Sequence, residues 1–357
     1  MTRLRAASSE DAAAVRMLNQ RNAMGDLDPV LWREGWESYP FAAEFRDVPT
    51  GWVLEADDGS VVGNLDNIQL LYEMGGRRIK GAIAAGWLVD PAHRGKSLNL
   101  LTAFLRQKEI DLCLIDSAAM ATAQILTAMK IARIPLPDYG VPCFWAVRPR
   151  AFAKAVLLRR SVPGAALLAW PAGLALLARD VYRRSGRGRT SSTIRRLAGF
   201  DDRFDELWHR ISAASTRLRA VRTRAVLEWR FRSELRGDRL AIVAAERDAQ
   251  MVGYAILVRR EGSGMDLYDV ADLQAVGDEI SIVKDLLLGS IDIAREEGAD
   301  AVKFMTGIAA KQAAADALRP YRYRASHWQL YFKPATAELG SLLSGADAWD
   351  LSWFDTF

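Results

Sequence analysis

The stretch Trp87-Leu88-Val89-Asp90-Pro91-Ala92-His93-Arg94-Gly95-Lys96-Ser97-Leu98 decides how this chain is read. An apolar, strand-like run stops at a proline, which has no N–H to extend a sheet. A basic, glycine-containing turn follows, and Leu98 to Arg106 has helical composition. A helix start exposes unpaired N–H groups and the positive end of the helix dipole. A loop placed there suits a phosphate or pyrophosphate. Gly95 lets the backbone approach closely, Arg94 and Lys96 add charge, and Ser97 is a capping residue. The plain alternative is an ordinary strand-to-helix turn.

Working outward, Leu4–Ala7 predicts a short strand, and Ser8-Ser9-Glu10-Asp11 predicts a capped helix start. Trp52–Glu55 and Val61–Gly63 flank the turn Asp57-Asp58-Gly59, a hairpin signal. A second hairpin is predicted from Ile68–Tyr72, Gly75-Gly76 and Ile79–Val89. Downstream come a short strand, Leu112–Ile115, and a helix, Ala121–Ile131. The second half repeats the logic. Phe204–Ala214 is a helix with Leu207, Trp208 and Ile211 on one face. Leu240–Ala245, Met251–Val258 and Met265–Leu273 are strands, and Ile280–Glu296 is a long helix ending near Gly298. Ala301–Met305, Ala309–Leu318 and Trp328–Phe332 then read as strand, helix and strand. The order predicts an α/β class, an α+β mixed sheet flanked by helices in each half.

Between the halves, Val162–Ala178 carries no charge and has arginines on both sides. It is short for a bilayer span of roughly 20 residues, and Pro171 interrupts it. A buried helical hairpin at the domain interface is expected, with a helix lying on a membrane surface as the second reading. Ser185–Thr193 reads as an exposed linker. The expected organisation is residues 1–150, an apolar and basic segment over 151–195, and residues 196–357.

Composition fits a folded protein: half of the 357 residues are apolar and the net charge is only +4. The excess is concentrated in Arg179, Arg183, Arg184, Arg187, Arg189, Arg195 and Arg196, a solvated linker or a contact for anionic groups. Residues 1–16 hold no apolar run, which predicts no secretory signal. Cys113 and Cys143 are expected as reduced, buried residues of a cytoplasmic protein. Neither they nor the three histidines have metal-ligand spacing, so no metal is expected.

Val89, Pro91, Arg94 and Gly95 resemble the acyl-CoA loop of the GNAT (Gcn5-related N-acetyltransferase) superfamily, a Val-x-Pro-x-x-Arg-Gly-x-Gly-x-Gly run. Ser97 and Asn99 stand where that family usually has Gly, Gly or Ala. The likeness covers roughly Leu4–Trp145. It implies two GNAT-like domains in tandem, each a mostly antiparallel twisted sheet, with acetyl-CoA or another acyl-CoA as co-substrate. Backbone groups of Leu88 and Val89 would pair with the pantetheine arm, and Arg94, Gly95, Lys96, Ser97 and Leu98 would hold the pyrophosphate. The second half resembles the family more faintly. Leu227-Glu228-Trp229-Arg230-Phe231 and the tail Trp349-Asp350-Leu351-Ser352-Trp353-Phe354-Asp355 are similar to segments of tandem GNAT-like proteins. Tyr268–Leu273 is followed by acidic Asp278 and Glu279, which would repel a pyrophosphate, so this half is expected to shape the acceptor site.

Transfer to an amine needs a base, carbonyl polarisation and a proton for the leaving thiolate. Glu44, Asp66, Asp269 and Asp272 are the carboxylate candidates, each with a solvated or capping role as its alternative. The family often supplies the proton from a Tyr after the next strand. No Tyr lies in 118–134, and Tyr139 is its substitute here. The resemblance implies an acyl-CoA-dependent N-acyltransferase acting on an amine, such as an amino sugar or cell-envelope precursor. Two alternatives remain open: a FemAB-like aminoacyl transferase, and a non-catalytic scaffold docked peripherally on the inner face of the membrane through 162–178. Nucleic acid is not an expected partner.

Overall fold

The computed structural model describes residues 2–118, 120–136, 139, 141–184, 191–262, 264–322 and 329–356. The chain begins with β1 (Thr2–Ala6), α1 (Ala12–Arg21) and α2 (Pro29–Glu37). Ser8 and Asp11 form a capping box before α1, and Arg5 clamps the Asp11 carboxylate with two bonds of 2.7 Å. Then follow β2 (Gly51–Ala56), β3 (Val61–Met74), β4 (Arg77–Val89), α3 (Ser97–Leu105), β5 (Leu112–Ala118), α4 (Met120–Ala128), β6 (Ala132–Arg133) and β7 (Cys143–Ala146). Two helices, α5 (Pro149–Arg159) and α6 (Ala165–Arg184), bridge to the second half. That half contains β8 (Thr193–Leu197), α7 (Arg203–Ala213), β9 (Arg219–Ala220), α8 (Arg224–Arg230), α9 (Arg232–Arg236), β10 (Leu240–Arg247), β11 (Gln250–Gly262) and β12 (Met265–Ala275). It closes with α10 (Ile280–Glu296), β13 (Ala301–Phe304), α11 (Ala309–Ala317), β14 (Tyr321–Arg322), β15 (Gln329–Pro334) and α12 (Ala337–Leu342).

Two mixed sheets result. The first runs β1-β2-β3-β4-β5-β15-β6 with β9 against β3, and the second runs β14-β7-β13-β12-β11-β10-β8. Each sheet is antiparallel except at one place, β4 with β5 and β12 with β13. The mixed α/β class expected from sequence is thus the class found. The halves exchange strands: β15 completes the first sheet beside β5, and β7 completes the second beside β13. Cuts at 150 and 195 therefore do not separate the sheets. The exchange also merges the cores. One cluster runs from Leu54, Leu71 and Phe104 to Phe204, Tyr254 and Ile256, and on to Trp349 and Phe354 of the tail. Separate clusters cover the outer faces, under α1 and α2 on one side and under α10 on the other.

Two expectations need correction. The two early hairpins share one 14-residue strand, β3, because Leu65 and Asp66 continue the pairing between them. The apolar segment is not itself a helical hairpin: it forms the turn before α6 and most of α6, which packs on α5, and it is not buried at the domain interface. Phe152 of α5 packs on Phe144, Ala146 and Ala301, while the outer face of α6 is open: Leu167 is 79% exposed. Pro171 sits inside α6 without ending it. The carbonyl that loses its donor belongs to Leu167, where water can take that place. Of the expected linker, residues 185–190 lie outside the described residues.

Candidate active site

The site is built by a strand pair that comes apart. β4 and β5 pair in parallel from Gly81↔Leu112 to Ala84↔Ile115. Beyond that point β4 stays with β3, through Asn64↔Leu88 and Gly63↔Val89, while β5 runs on to Ala118 beside β15, its partner along the other edge. The edge of β4 facing β5 has no strand partner from Ala85 to Val89 among the described residues. Backbone donors and acceptors on such an edge are open to an extended ligand. Two residues of β4, Gly86 and Trp87, face one of β3, Leu65, between Ala85↔Asp66 and Leu88↔Asn64, a bulge with Gly86 at φ +58°.

Asp66 lies directly behind that bulge. Its carboxylate accepts from the Trp32 indole at 3.1 Å and from Asn64 Nδ2 at 3.0 Å. Burial pushes its pKa up to about 6, against the pull of those two donors. A Cβ on residue 86 would stand 2.7 Å from Asp66 Oδ2. Gly86→Ala therefore meets both a clash and a left-handed backbone, and should lower stability by about 1–3 kcal/mol in urea unfolding. An unchanged midpoint would show that the bulge is not held as described. Trp32 was not found from sequence; its helix starts where Asp28 caps the Val30 amide at 2.8 Å and Pro29 takes the first turn.

The loop after β4 departs from expectation. Pro91–Lys96 forms a 3₁₀ helix leading into α3. The His93 amide bonds the Asp90 carbonyl at 2.9 Å, and the Ser97 amide bonds the Arg94 carbonyl. Of the amides predicted to be free, that of Ser97 is thus engaged in a tight turn. Ser97 and Asn99, in place of glycines, leave the segment without the backbone freedom of a wide loop. Arg94 and Lys96 nonetheless stand in solvent, and the space around Gly95 is open. Ser97 and exposed Leu98 open α3 beside them. Asp90 anchors the loop to α1, through Arg21 at 2.6 Å and Asn22 at 2.6 Å.

Tyr139, with Leu114, Ile115 and Asp116 of β5, lines a small cavity closed by Leu351, Ser352, Asp355 and Thr356 of the tail. Its hydroxyl is buried without a hydrogen-bond partner among the described residues, and burial pushes its pKa well above the usual phenol range.

The two carboxylates of β12 go elsewhere. Asp269 pairs with Lys303 at 2.9 Å and lies 3.7 Å from Arg260. Asp272, fully buried, accepts from Arg222 Nε at 2.9 Å, Tyr254 at 2.7 Å, Ser352 at 2.9 Å and Gln274 at 3.2 Å. Four donors leave Asp272 no lone pair for a substrate proton, which corrects its candidacy as base. Arg222 reaches on to Asp355 at 3.2 Å, and Arg230 donates to the carbonyls of Trp353, Phe354 and Thr356. The tail and the Leu227–Phe231 segment, noted separately in sequence, are therefore two sides of one clamp. In the second sheet the place matching the β4–β5 split is filled by this network. Asp278 beside it is tied to Arg219 at 3.0 Å. No group of three metal-ligating side chains occurs among the described residues.

The fold is shared with solved GCN5-related N-acetyltransferases. The chain superposes on a GCN5-related N-acetyltransferase from Anabaena variabilis with a TM-score of 0.60 at 14% identity, covering 94% of this chain and 73% of that one. A GCN5-related N-acetyltransferase from Kribbella flavida gives 0.57 at 17%, covering 94% and 71%. The N-myristoyltransferase of Saccharomyces cerevisiae, solved with bound myristoyl-CoA, gives 0.56 at 11%, covering 93% and 82%. No protein-family model and no curated protein sequence matches the chain.

Proposed function

We propose that the chain is an acyl-CoA-dependent N-acyltransferase. The observation that carries this is the β4–β5 split with a buried carboxyl of raised pKa, Asp66, directly behind its bulge. Several structural neighbours are acyltransferases by name, and one holds an acyl-CoA, which supports the same reading. The open edge of β4 at Leu88 and Val89 suits the amides of a pantetheine arm. Arg94 and Lys96, with the helix start at Gly95, Ser97 and Leu98, suit a diphosphate once the 3₁₀ turns open and their amides change partners. The acyl-CoA supplies an activated thioester. Asp66 takes a proton from the acceptor ammonium, freeing the nitrogen lone pair for the carbonyl carbon. Amides on the β4 edge polarise that carbonyl. As the C–S bond breaks, the Tyr139 hydroxyl gives its proton to the sulfur, and the second proton leaving the nitrogen passes through water to restore the Tyr139 phenol. An amino sugar or another envelope precursor is the acceptor class this reading favours.

A second reading, a non-catalytic module, is favoured by the closed 3₁₀ segment. Calorimetric titration with acetyl-CoA separates the two. Saturable binding should be abolished by Arg94→Glu with Gly95→Val. The absence of heat in the native chain, with acetyl- and longer acyl-CoAs alike, would leave the second reading standing.

A further inference from the structure

Helix α6 is amphipathic in the wrong sense for a water-facing helix. Its inner face is made of small residues: Ala165 and Ala169 are buried, and Gly173 lies so close to α5 that a Cβ would stand 2.8 Å from Arg150 Cα. This contact fixes the helix's rotation. The large side chains therefore face out: Leu167, Trp170, Leu174 and Leu177 follow at intervals of three, four and three, with Leu168 beside them. Trp170 is 55% and Leu174 62% exposed. Exposed helix faces in folded proteins normally carry charge, and a contiguous apolar stripe marks a docking surface. The stripe covers about 15 Å of a helix roughly 30 Å long.

The charge around the stripe selects the partner. No acidic residue occurs between Asp138 and Asp180, while Arg150, Lys154 and Arg160 do. Arg150, Lys154 and Arg160 are exposed, and the Arg150 guanidinium lies 3.7 Å from the Trp170 ring centre. Leucines beside a tryptophan, rimmed by cations with no anion among them, match an anionic lipid surface: acyl chains take the leucines, headgroups take the cations, and the indole sits at the boundary. No helix among the described residues is long and apolar enough to cross a membrane. We propose that the α5–α6 hairpin docks the protein on the surface of an anionic bilayer, with α6 lying parallel to it.

Flotation of the full chain with phosphatidylcholine vesicles, with and without phosphatidylglycerol, tests this. Native protein should float with the anionic vesicles, weakly with neutral ones, and less as salt rises. Leu167→Ser with Leu174→Ser should cut binding at least tenfold. Lys154→Glu with Arg160→Glu, which touches no apolar contact, should do so for anionic vesicles alone. The proposal is overturned if native protein does not float, or if the leucine variant floats equally. It is also overturned if sedimentation shows the stripe joining two copies of the chain, in a dimer that the leucine variant dissolves while vesicles never compete for it.

Discussion

Replacing Arg222 by methionine is expected to lower the unfolding free energy by about 3–5 kcal/mol, the cost of leaving buried carboxylates without their cation. Arg222 is 1% exposed and holds Asp272 and Asp355 from within the shared core. Its own charged form is strongly favoured, since the coulombic pull of the two carboxylates outweighs a larger single penalty for burial. Asp355 is already pushed up to about 6 by burial, with Arg222 resisting that push. Without the guanidinium the Asp355 carboxyl should take up a proton in the folded state. The deficit should then be smaller at pH 5 than at pH 8, because protonation relieves the stranded charge. Urea unfolding across that range measures both effects. Adding Asp272→Asn and Asp355→Asn should recover part of the loss. A single variant within 1 kcal/mol of native would mean the network does not hold the tail.

The second large effect concerns Asp66, where stability and activity should move in opposite directions. A carboxyl whose folded pKa of about 6 exceeds its unfolded value near 4 binds its proton more tightly in the folded state. Both states are protonated at low pH, so nothing is lost there. As pH rises from about 4 to about 6 the folded state must give up a proton it holds more tightly, and stability falls by up to about 3 kcal/mol. Asp66→Asn keeps the acceptor for Trp32 and removes the charge. The variant should therefore be more stable than native above pH 6 and indistinguishable from it near pH 3.5. Its acyl transfer should drop by about 10²–10⁴-fold, the usual loss of a general base. The native rate should rise with pH to a plateau, half-maximal near pH 6, and the variant should lack that limb. Equal rates would remove Asp66 from the chemistry. Lower stability at neutral pH would show it to be a structural carboxylate.

Local pattern made much of this fold legible. The helix expected over Ile280–Glu296 is α10 to the residue, because its apolar periodicity is uninterrupted and Gly298 follows. β4, α3 and β5 came from Pro91 and the composition around it. The strand exchange was not legible. β7 is four consecutive buried residues with no alternation, and its partner β13 lies more than 150 positions away. At the site, Asp66 could be named from its strand. Its raised pKa could not, since the low dielectric comes from Trp32 and the bulge at Gly86. Asp272 read as a candidate base because it stands at the end of a predicted strand, where a cleft would form. Arg222 arrives 50 positions upstream, and Ser352 80 positions downstream. The closure of residues 91–96 into 3₁₀ turns was hidden for a different reason: the motif residues were present, and the missing glycines at 97 and 99 acted through backbone freedom alone.

The account rests on an acyl-CoA entering where β4 leaves β5, and backbone amide hydrogen exchange with and without acetyl-CoA tests it most directly. Slower exchange should appear in residues 85–98 and 115–118, with the amides of the 91–96 segment changing most and β10–β12 unaffected. Protection confined to the second sheet, or none at saturating acetyl-CoA, would contradict the assignment of the site.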